Sequence, residues 1–437
     1  MSRVHPSEVH GTLKRHILVT GHPIVLDLEN SRGPLARDAL SGADYLDFAG
    51  FYASNALGFN HPALNEPEAR ERLRVAASIK VGNPDFYTLE LAGFVRTLER
   101  TAAPPTHPHY FFVEGGALGV ENALKTAMDW KVQKNLARGL GEIGTEILHF
   151  EKAFHGRSGY TLSVTNTDPV KTRYFPKFDW PRIPCPAVAF PLHGANLEAV
   201  VAAERAAIGA IHRAFDERPA RIAAILIEPI QGEGGDNHFR PEFLRALREI
   251  ADSREALLIF DEVQTGMGIT GKWWAHQHVG VAPDLLCFAK KLQVGGFFAS
   301  NRIDDVDNVF KVPSRISSTW GGALVDMVRA TCILEVIERE GLLDNARERG
   351  KELLSGLEEI AAEHAGELRN ARGLGLLCAV DAPTTEARNA LVKRCFEQRL
   401  VVLAGGTHSV RFRPALTVDA AAVQDALGRL RRALRDA

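Results

Sequence analysis

The sequence contains few cysteines, and none of them lies close to another. The five are at positions 185, 287, 332, 378 and 395 of 437 residues, and no CxxC pair occurs. A disulfide-stabilised secreted domain or a cysteine zinc site requires closely spaced cysteines. The spacing argues against both classes, so we expect a cytoplasmic protein without a metal site.

Long apolar runs and blocks of like charge are also missing. No run approaches the roughly 20 apolar residues that cross a membrane as a helix, and the first residues, MSRVHPSEVHGTLKRH, contain no apolar signal core. The net charge is −2 and no uninterrupted block of Lys and Arg occurs. We therefore predict that neither nucleic acid nor a membrane is a partner.

The composition is that of a large globular protein. Apolar residues make up 45% of the chain and charged residues 24%, which is close to the average for ordered domains. A length of 437 residues suits one large domain with smaller parts. After residue 350 helices and strands alternate in the pattern of a separate, small α+β domain.

The most informative stretch contains two short apolar runs, Ala256–Phe260 and Leu285–Phe288. Runs of this kind between chain-breaking residues are typical of buried parallel strands in an α/β fold. Asp261 follows the first run, and Lys290 with Lys291 follows the second. Ligands bind at the carboxyl ends of such strands. A carboxylate and an amine there suit pyridoxal phosphate, whose aldehyde forms a Schiff base with lysine and whose ring nitrogen pairs with an acid.

A second stretch predicts a phosphate site. Tyr110–Val113 has the pattern of a strand, residues 114–119 form a glycine-rich loop, and a helical apolar face starts at Val120. The unpaired N–H groups at a helix start bind anions. The alternative is an ordinary strand-to-helix turn.

Residues 139–144 spell GxGxxG, but they precede a strand instead of following one, so we read them as a loop and not as a dinucleotide site.

Further candidates follow two other predicted strands. Phe154 and Arg157 come after the strand at residues 146–150; the first could stack on a flat cofactor ring and the second could hold a carboxylate. Their alternatives are core packing and a surface ion pair. Glu228 and Glu233 follow the strand at residues 222–227. We favour Glu233 as the functional one, because Glu228 could serve only to accept hydrogen bonds from loop amides.

Two more candidate groups lie towards the C-terminus. Ser318 and Thr319 precede a long helix, where they could bind phosphate or cap the helix. Arg411 and Arg413 are two residues apart on a predicted strand, so they share one face. Their alternative is a solvated surface.

Together these motifs resemble the class III, fold-type I pyridoxal phosphate aminotransferases over nearly the full length. The resemblance is nearest to enzymes acting on the ε-amino group of L-lysine, with 4-aminobutyrate enzymes next. The motifs that carry it are FFVEGGALGVENALK (111–125), FHGRSGYTLS (154–163), FPKFDWPRI (175–183), EPIQGEGGDNHFRPEF (228–243), DEVQTG (261–266), FAKK (288–291), STWGG (318–322) and VRFRP (410–414).

The resemblance implies a fold and a domain division. The fold is a large domain with a mostly parallel central sheet flanked by helices, plus a small α+β domain built from both ends of the chain. We predict an N-terminal segment at 1–65 that contributes to the small domain, a large cofactor-binding domain at 66–325, and a small domain at 326–437.

The resemblance also implies cofactor contacts. Lys290 is the Schiff-base lysine and proton carrier, Asp261 pairs with the ring nitrogen, and Gln264 bonds the ring oxygen. Adjacent strand residues point in opposite directions, so only one of Lys290 and Lys291 reaches the aldehyde. Spacing from Asp284 favours Lys290, although the glycines at 295 and 296 would also suit Lys291. The remaining cofactor-binding residues are Phe154, which stacks on the ring, and Gly116, Ala117, Ser318 and Thr319 around the phosphate. In this family the Thr319 contact crosses a subunit boundary, so we predict a homodimer with shared active sites.

The implied reaction transfers the ε-amino group of L-lysine to 2-oxoglutarate. Arg157 would hold the distant carboxylate, and Arg411 would hold the acceptor's carboxylate beside the cofactor. Glu233 would neutralise Arg411 while lysine is bound. This chain has Ser317 where the lysine enzymes carry asparagine, so 4-aminobutyrate or ornithine remains an alternative donor. A hydride-transferring enzyme and a non-catalytic binding protein fit the motifs less well.

Overall fold

The computed structural model describes residues 4–435. Its strands are β1 Leu35–Arg37, β2 Asp44–Asp47, β3 His109–Val113, β4 Glu146–Phe150, β5 Arg182–Ile183, β6 Ile222–Ile227, β7 Ile230–Gln231, β8 Asn237–His238, β9 Leu257–Asp261, β10 Leu285–Phe288, β11 Gly295–Ala299, β12 Arg369–Leu374, β13 Leu377–Asp381, β14 Leu400–Val401, β15 Leu403–Gly405 and β16 Ser409–Phe412.

The helices of the same range include several long ones that cover the sheets. They are α1 Val9–Lys14, α2 Gly50–Ala53, α3 Pro62–Asn65, α4 Pro67–Ala77, α5 Leu89–Thr101, α6 Gly116–Ala137, α7 Gly159–Val164, α8 Gly194–Glu217, α9 Pro241–Ser253, α10 Leu324–Arg339, α11 Leu342–Glu363, α12 Thr385–Glu397 and α13 Ala420–Arg435. Within residues 4–435, no helix has both the length and the apolar character needed to cross a membrane.

The largest sheet has seven strands in the order β3-β11-β10-β9-β6-β4-β5. Neighbouring strands from β10 to β5 are parallel. β11 is antiparallel to both β10 and β3, so β3 runs in the common direction. The prediction of a mostly parallel central sheet is confirmed. The carboxyl ends of six strands therefore meet at one edge.

Both faces of this sheet are buried, which explains why its strands are continuously apolar. In β6, Ile225 and Ile227 join one core cluster, and Ala224 and Leu226 join another. The second cluster includes the apolar face of α6. Helices α9, α10 and α11 contribute to the first. The sheet is thus packed between helices on both faces, and this packing holds the residues at its carboxyl edge in place.

Two smaller sheets contain strands from the C-terminal part of the chain, and one of them also contains N-terminal strands. Strands β12, β13, β16 and β15 form an antiparallel sheet. β2 pairs with β1 and, in parallel, with β14, so an N-terminal strand lies beside a C-terminal one. This pairing favours a small domain built from both ends, while the boundaries 1–65, 66–325 and 326–437 stay a prediction.

Helix α6 packs unusually closely on the sheet. A Cβ atom at Gly119 would lie 2.8 Å from the carbonyl oxygen and 2.9 Å from the amide nitrogen of Gly296 in β11. Both contacts are with backbone, so a side chain at position 119 would push the helix away from the sheet. The start of α6 borders the candidate site, so its position there depends on this glycine.

We predict that Gly119→Ala destabilises the protein by about 1–3 kcal/mol because it overpacks this contact. The matched control is Gly428→Ala in α13, where the added atom would meet only the end of the Arg432 side chain at 3.7 Å. The control should be neutral or stabilising by up to about 1 kcal/mol. Urea unfolding of both cofactor-free variants measures the difference. Equal unfolding midpoints for Gly119→Ala and the wild type would contradict the prediction.

Candidate active site

Asp261 and Lys290 meet at the carboxyl edge of the large sheet. Asp261 is the last residue of β9, and in the parallel register it lies beside Cys287 of β10. Lys290 follows Cys287 by three residues, at the start of a 3₁₀ turn at Lys290–Leu292. Both line one cavity of about 550 Å³. The two apolar runs therefore deliver the acid and the amine to the same site, as their pattern predicted.

The Asp261 carboxylate is buried and hydrogen bonded on both oxygens. Oδ1 accepts a hydrogen bond from the Val263 amide at 3.0 Å, and Oδ2 lies 2.8 Å from His155 Nδ1. His155 is buried, and its Nε2 has no hydrogen-bond partner within residues 4–435. This histidine was not among the predicted site residues, although it lies inside the FHGRS motif. Its signal was the position directly after Phe154, in the loop that follows β4 at the same edge of the sheet.

The two adjacent lysines have different surroundings. Lys290 lines the cavity, whereas Lys291 is buried and its amine donates to the Ala53 carbonyl at 2.7 Å. The predicted strand position of the two lysines is wrong, because both lie in a 3₁₀ turn. Lys290 has φ +38°, a strained conformation of a kind that collects at functional sites. Burial lowers the pKa of the Lys290 amine, against the opposing charges of Asp261 and Glu228.

Glu228 lies near this pair. Its carboxylate accepts hydrogen bonds from the amides of Phe154 at 3.0 Å and Gly232 at 2.9 Å, so it serves the loop amides as anticipated. Burial raises the pKa of Glu228 to about 7, against the opposing charge of His155. The carboxyl group therefore gains a proton more readily than an exposed glutamate does.

The glycine-rich loop forms one wall of the cavity. Helix α6 begins at Gly116, four residues before the predicted start at Val120, because Gly115 adopts φ +92° and turns the chain directly into the helix. Gly116 and Ala117 are thus first-turn residues, and no side chain within residues 4–435 caps them. Gly156, at φ +132°, allows the Phe154–Arg157 segment to approach Ala117, since a Cβ atom there would be 2.5 Å from the Ala117 Cβ.

These features fit pyridoxal phosphate. The uncapped helix start presents N–H groups to a phosphate. Phe154 and Val263 line the cavity, as do Asp261 and Lys290. The cavity is large enough for a cofactor with a small substrate. Gln264 also lines it, and its Oε1 accepts hydrogen bonds from Arg411 at 3.4 Å and Arg413 at 3.3 Å. The assignments of individual cofactor contacts stay predictions.

The three candidate substrate residues occupy different positions. Arg157 lines the cavity and is exposed, with no ion pair to any residue of the described range. Arg411 is buried; its Nη2 donates to the Ala404 carbonyl at 2.7 Å, and its Nε has no partner within residues 4–435. Burial lowers the pKa of Arg411 to about 10, although Asp236 and Glu233 act in the opposite direction. The solvated alternative for Arg411 and Arg413 is wrong, because both are buried.

Glu233 does not form the predicted pair with Arg411. It lines the cavity, but its carboxylate instead forms an ion pair with Lys171. Lys171 was not among the predicted site residues. It lies in a segment whose pattern gives no sign of proximity to the loop after β6, and only the fold brings the two together.

Ser318 and Thr319 lie away from the cavity lining in the single chain. The loop around them contacts the segment before α5 instead: the Asn83 amide donates to the Trp320 carbonyl at 3.2 Å, and Thr319 borders Gly82. Neither residue caps α10, whose N-terminal flanking residue is Ala323. One chain alone therefore does not bring Thr319 to the predicted phosphate site.

Known proteins resemble this chain over nearly its full length. The sequence pattern of the family Aminotransferase class-III matches residues 18–434. The L-lysine-epsilon aminotransferase of Mycobacterium tuberculosis is 51% identical over 98% of this chain and 96% of its own length. Human mitochondrial 4-aminobutyrate aminotransferase is 33% identical over 89% of this chain and 80% of its own.

A solved structure gives the same result. The lysine aminotransferase from M. tuberculosis in its internal aldimine form superimposes with a TM-score of 0.97, covering 99% of this chain and 100% of that one, at 51% identity. Sequence, fold and the acid–amine pair at the sheet edge agree. The chain belongs to the class III, fold-type I aminotransferases, which depend on pyridoxal phosphate.

Proposed function

We propose that this enzyme transfers the ε-amino group of L-lysine to 2-oxoglutarate, giving 2-aminoadipate 6-semialdehyde and L-glutamate. The observation that carries the proposal is the 51% identity to curated L-lysine-epsilon aminotransferases across 98% of the chain. The 4-aminobutyrate enzymes, at 32–33%, are more distant. Ornithine aminotransferase structures at 22% identity support the fold alone. The donor alternatives are therefore less favoured, although this chain has Ser317 where the lysine enzymes carry asparagine.

The residues of the cavity suit this chemistry. Bound pyridoxal phosphate supplies an aldehyde that carries the amino group and a ring that accepts electrons. Asp261, held by His155 and the Val263 amide, would keep a proton on the ring nitrogen. Lys290 Nζ, with its lowered pKa, would move a proton to and from the substrate carbon that bears the amine. Phe154 would cover one face of the ring, and the start of α6 would hold the phosphate.

Charge balance explains how one pocket could take both substrates. Lysine would present its ε-amine to the cofactor and place its carboxylate on the exposed Arg157. Arg411 would then face an uncharged methylene chain, and an unpaired buried charge costs on the order of several kcal/mol. A carboxylate of 2-oxoglutarate would pair with Arg411 in the second half-reaction. Glu233 would neutralise Arg411 in the first, which requires it to leave Lys171.

We also propose a cytoplasmic homodimer. Its support is the position of Thr319, which would reach a phosphate only from a neighbouring subunit. Exposed apolar side chains lie in the adjoining segment: Phe86, Tyr87 and Leu89 are 74%, 85% and 88% exposed in the single chain. Such a cluster is typical of an interaction surface. The cytoplasmic location rests on the five scattered cysteines, all of them free.

Adding amine donors to the holoenzyme tests the donor assignment. L-Lysine added without an amino acceptor should bleach the visible absorbance band of the bound cofactor. Subsequent addition of 2-oxoglutarate should restore the band. We expect 4-aminobutyrate and L-ornithine to bleach it at least about tenfold more slowly, since a mismatched chain length costs about 1–3 kcal/mol of transition-state binding. Faster bleaching by either competitor would overturn the lysine assignment and leave the family intact.

Replacing Glu233 tests the charge balance. Glu233→Gln should slow the lysine half-reaction more than the glutamate half-reaction, because only the former leaves Arg411 without a substrate carboxylate. We expect the two effects to differ by about tenfold or more, since one uncompensated charge affects only one of them. Single-turnover absorbance kinetics measure each half-reaction separately. Equal slowing of both would contradict the proposed role.

A further inference from the structure

Lys171 holds Glu233 in the structure. It ends a 3₁₀ turn at Pro169–Lys171, whose start is fixed by the Asp168 carboxylate accepting a hydrogen bond from the Val170 amide at 2.9 Å. The Lys171 amine contacts the Glu233 carboxylate and also donates to Thr167 Oγ1 at 3.3 Å. The two charged side chains are only 25% and 27% exposed. This ion pair is better shielded from solvent than a typical surface pair.

The pair lies at the boundary of the active site. Glu233 lines the main cavity and also a neighbouring cavity of about 380 Å³, whose wall includes Lys171. The Lys171 amine is 5.5 Å from the centre of the Phe154 ring, and Phe154 lines the main cavity. Rotation of the Glu233 side chain can therefore move its charge between the two cavities.

The backbone of Glu233 is fixed next to Arg411. Its carbonyl accepts a hydrogen bond from the Gly406 amide at 2.8 Å. The adjacent Gly405 packs directly on the Arg411 side chain, where an added Cβ atom would lie 2.3 Å from Nε. That same Nε is buried without a partner in the described range. The Glu233 carbonyl and the Arg411 side chain thus contact two adjacent residues, Gly406 and Gly405.

We infer that Lys171 is the competing partner of Glu233: it holds the carboxylate away from Arg411 and so keeps Arg411 available for the second carboxylate of the amino acceptor. The inference rests on the proposed function, in which Arg411 binds that carboxylate. Lys171 is a positioning residue, since it acts on the substrate through Glu233. Without it, Glu233 moves to Arg411 more often and competes with every dicarboxylate ligand.

Two unreactive ligands of equal length test the inference in the holoenzyme. Glutarate carries two carboxylates and needs both Arg157 and Arg411, whereas pentanoate carries one. Lys171→Met should raise the Kd of glutarate about two- to tenfold, because fewer molecules have Arg411 free. The Kd of pentanoate should be unchanged. Isothermal titration calorimetry measures both constants without turnover.

Three further variants separate this role from a structural one. Lys171→Arg should restore wild-type glutarate binding. Lys177→Met removes a lysine from the same segment whose amine bonds Thr172 and not Glu233, and it should have no effect. In a Glu233→Gln background, Lys171→Met should no longer change the Kd of glutarate. Lys171→Gln, measured alongside, takes the place of Lys171→Met if the methionine variant folds poorly.

Three results would overturn the role of Lys171. They are an unchanged glutarate Kd in the Lys171 variants, an equal change for pentanoate, and an effect that persists in the Glu233→Gln background. Failure of the lysine assignment gives a different result. In that case L-lysine does not bleach the cofactor band of the wild-type holoenzyme, and no Lys171 variant is needed to see it.

Discussion

The parallel pairing of β9 with β10 is the constraint on which the site depends. Its register places Asp261 beside Cys287, and the turn that follows β10 then presents Lys290 to the same cavity. Both strands are buried on two faces, so neither slides without exposing a layer of apolar side chains. The acid–amine spacing is therefore fixed by the core, and the surrounding loops only supply the contacts around it.

A second feature of the site is that buried charged side chains have partners. Asp261 pairs with His155, and Arg413 forms a fully buried ion pair with Asp236. The Lys291 amine donates a hydrogen bond to the Ala53 carbonyl. Phe51, Tyr52 and Ala53 all have positive φ, so this buried amine stabilises a strained turn. Arg411 differs, because its Nε has no hydrogen-bond partner among the residues that the structure describes. A buried guanidinium N–H group that no protein atom accepts suits a changing set of ligands.

Sequence patterns predicted the sheet well, and also the edge at which the site residues lie, because strands such as 222–227 and 285–288 are short, apolar and sharply bounded. They predicted the start of α6 poorly, since one glycine angle at Gly115 decided it. Contacts between distant segments were beyond reach: nothing in the local sequence of Lys171 or His155 indicates that the fold places them against Glu233 and Asp261. Family resemblance supplied roles for Glu233 and Thr319, but neither has its expected partner in the single chain.

The central claim is that the amine at position 290, beside the acid at 261, is the attachment point of pyridoxal phosphate. Borohydride reduction of the holoenzyme, followed by peptide mass mapping, tests it most directly. The account predicts a reduced cofactor adduct on Lys290 in the wild type, and none in a Lys290→Ala variant that keeps Lys291. An adduct on Lys291, or none on either lysine, would contradict it.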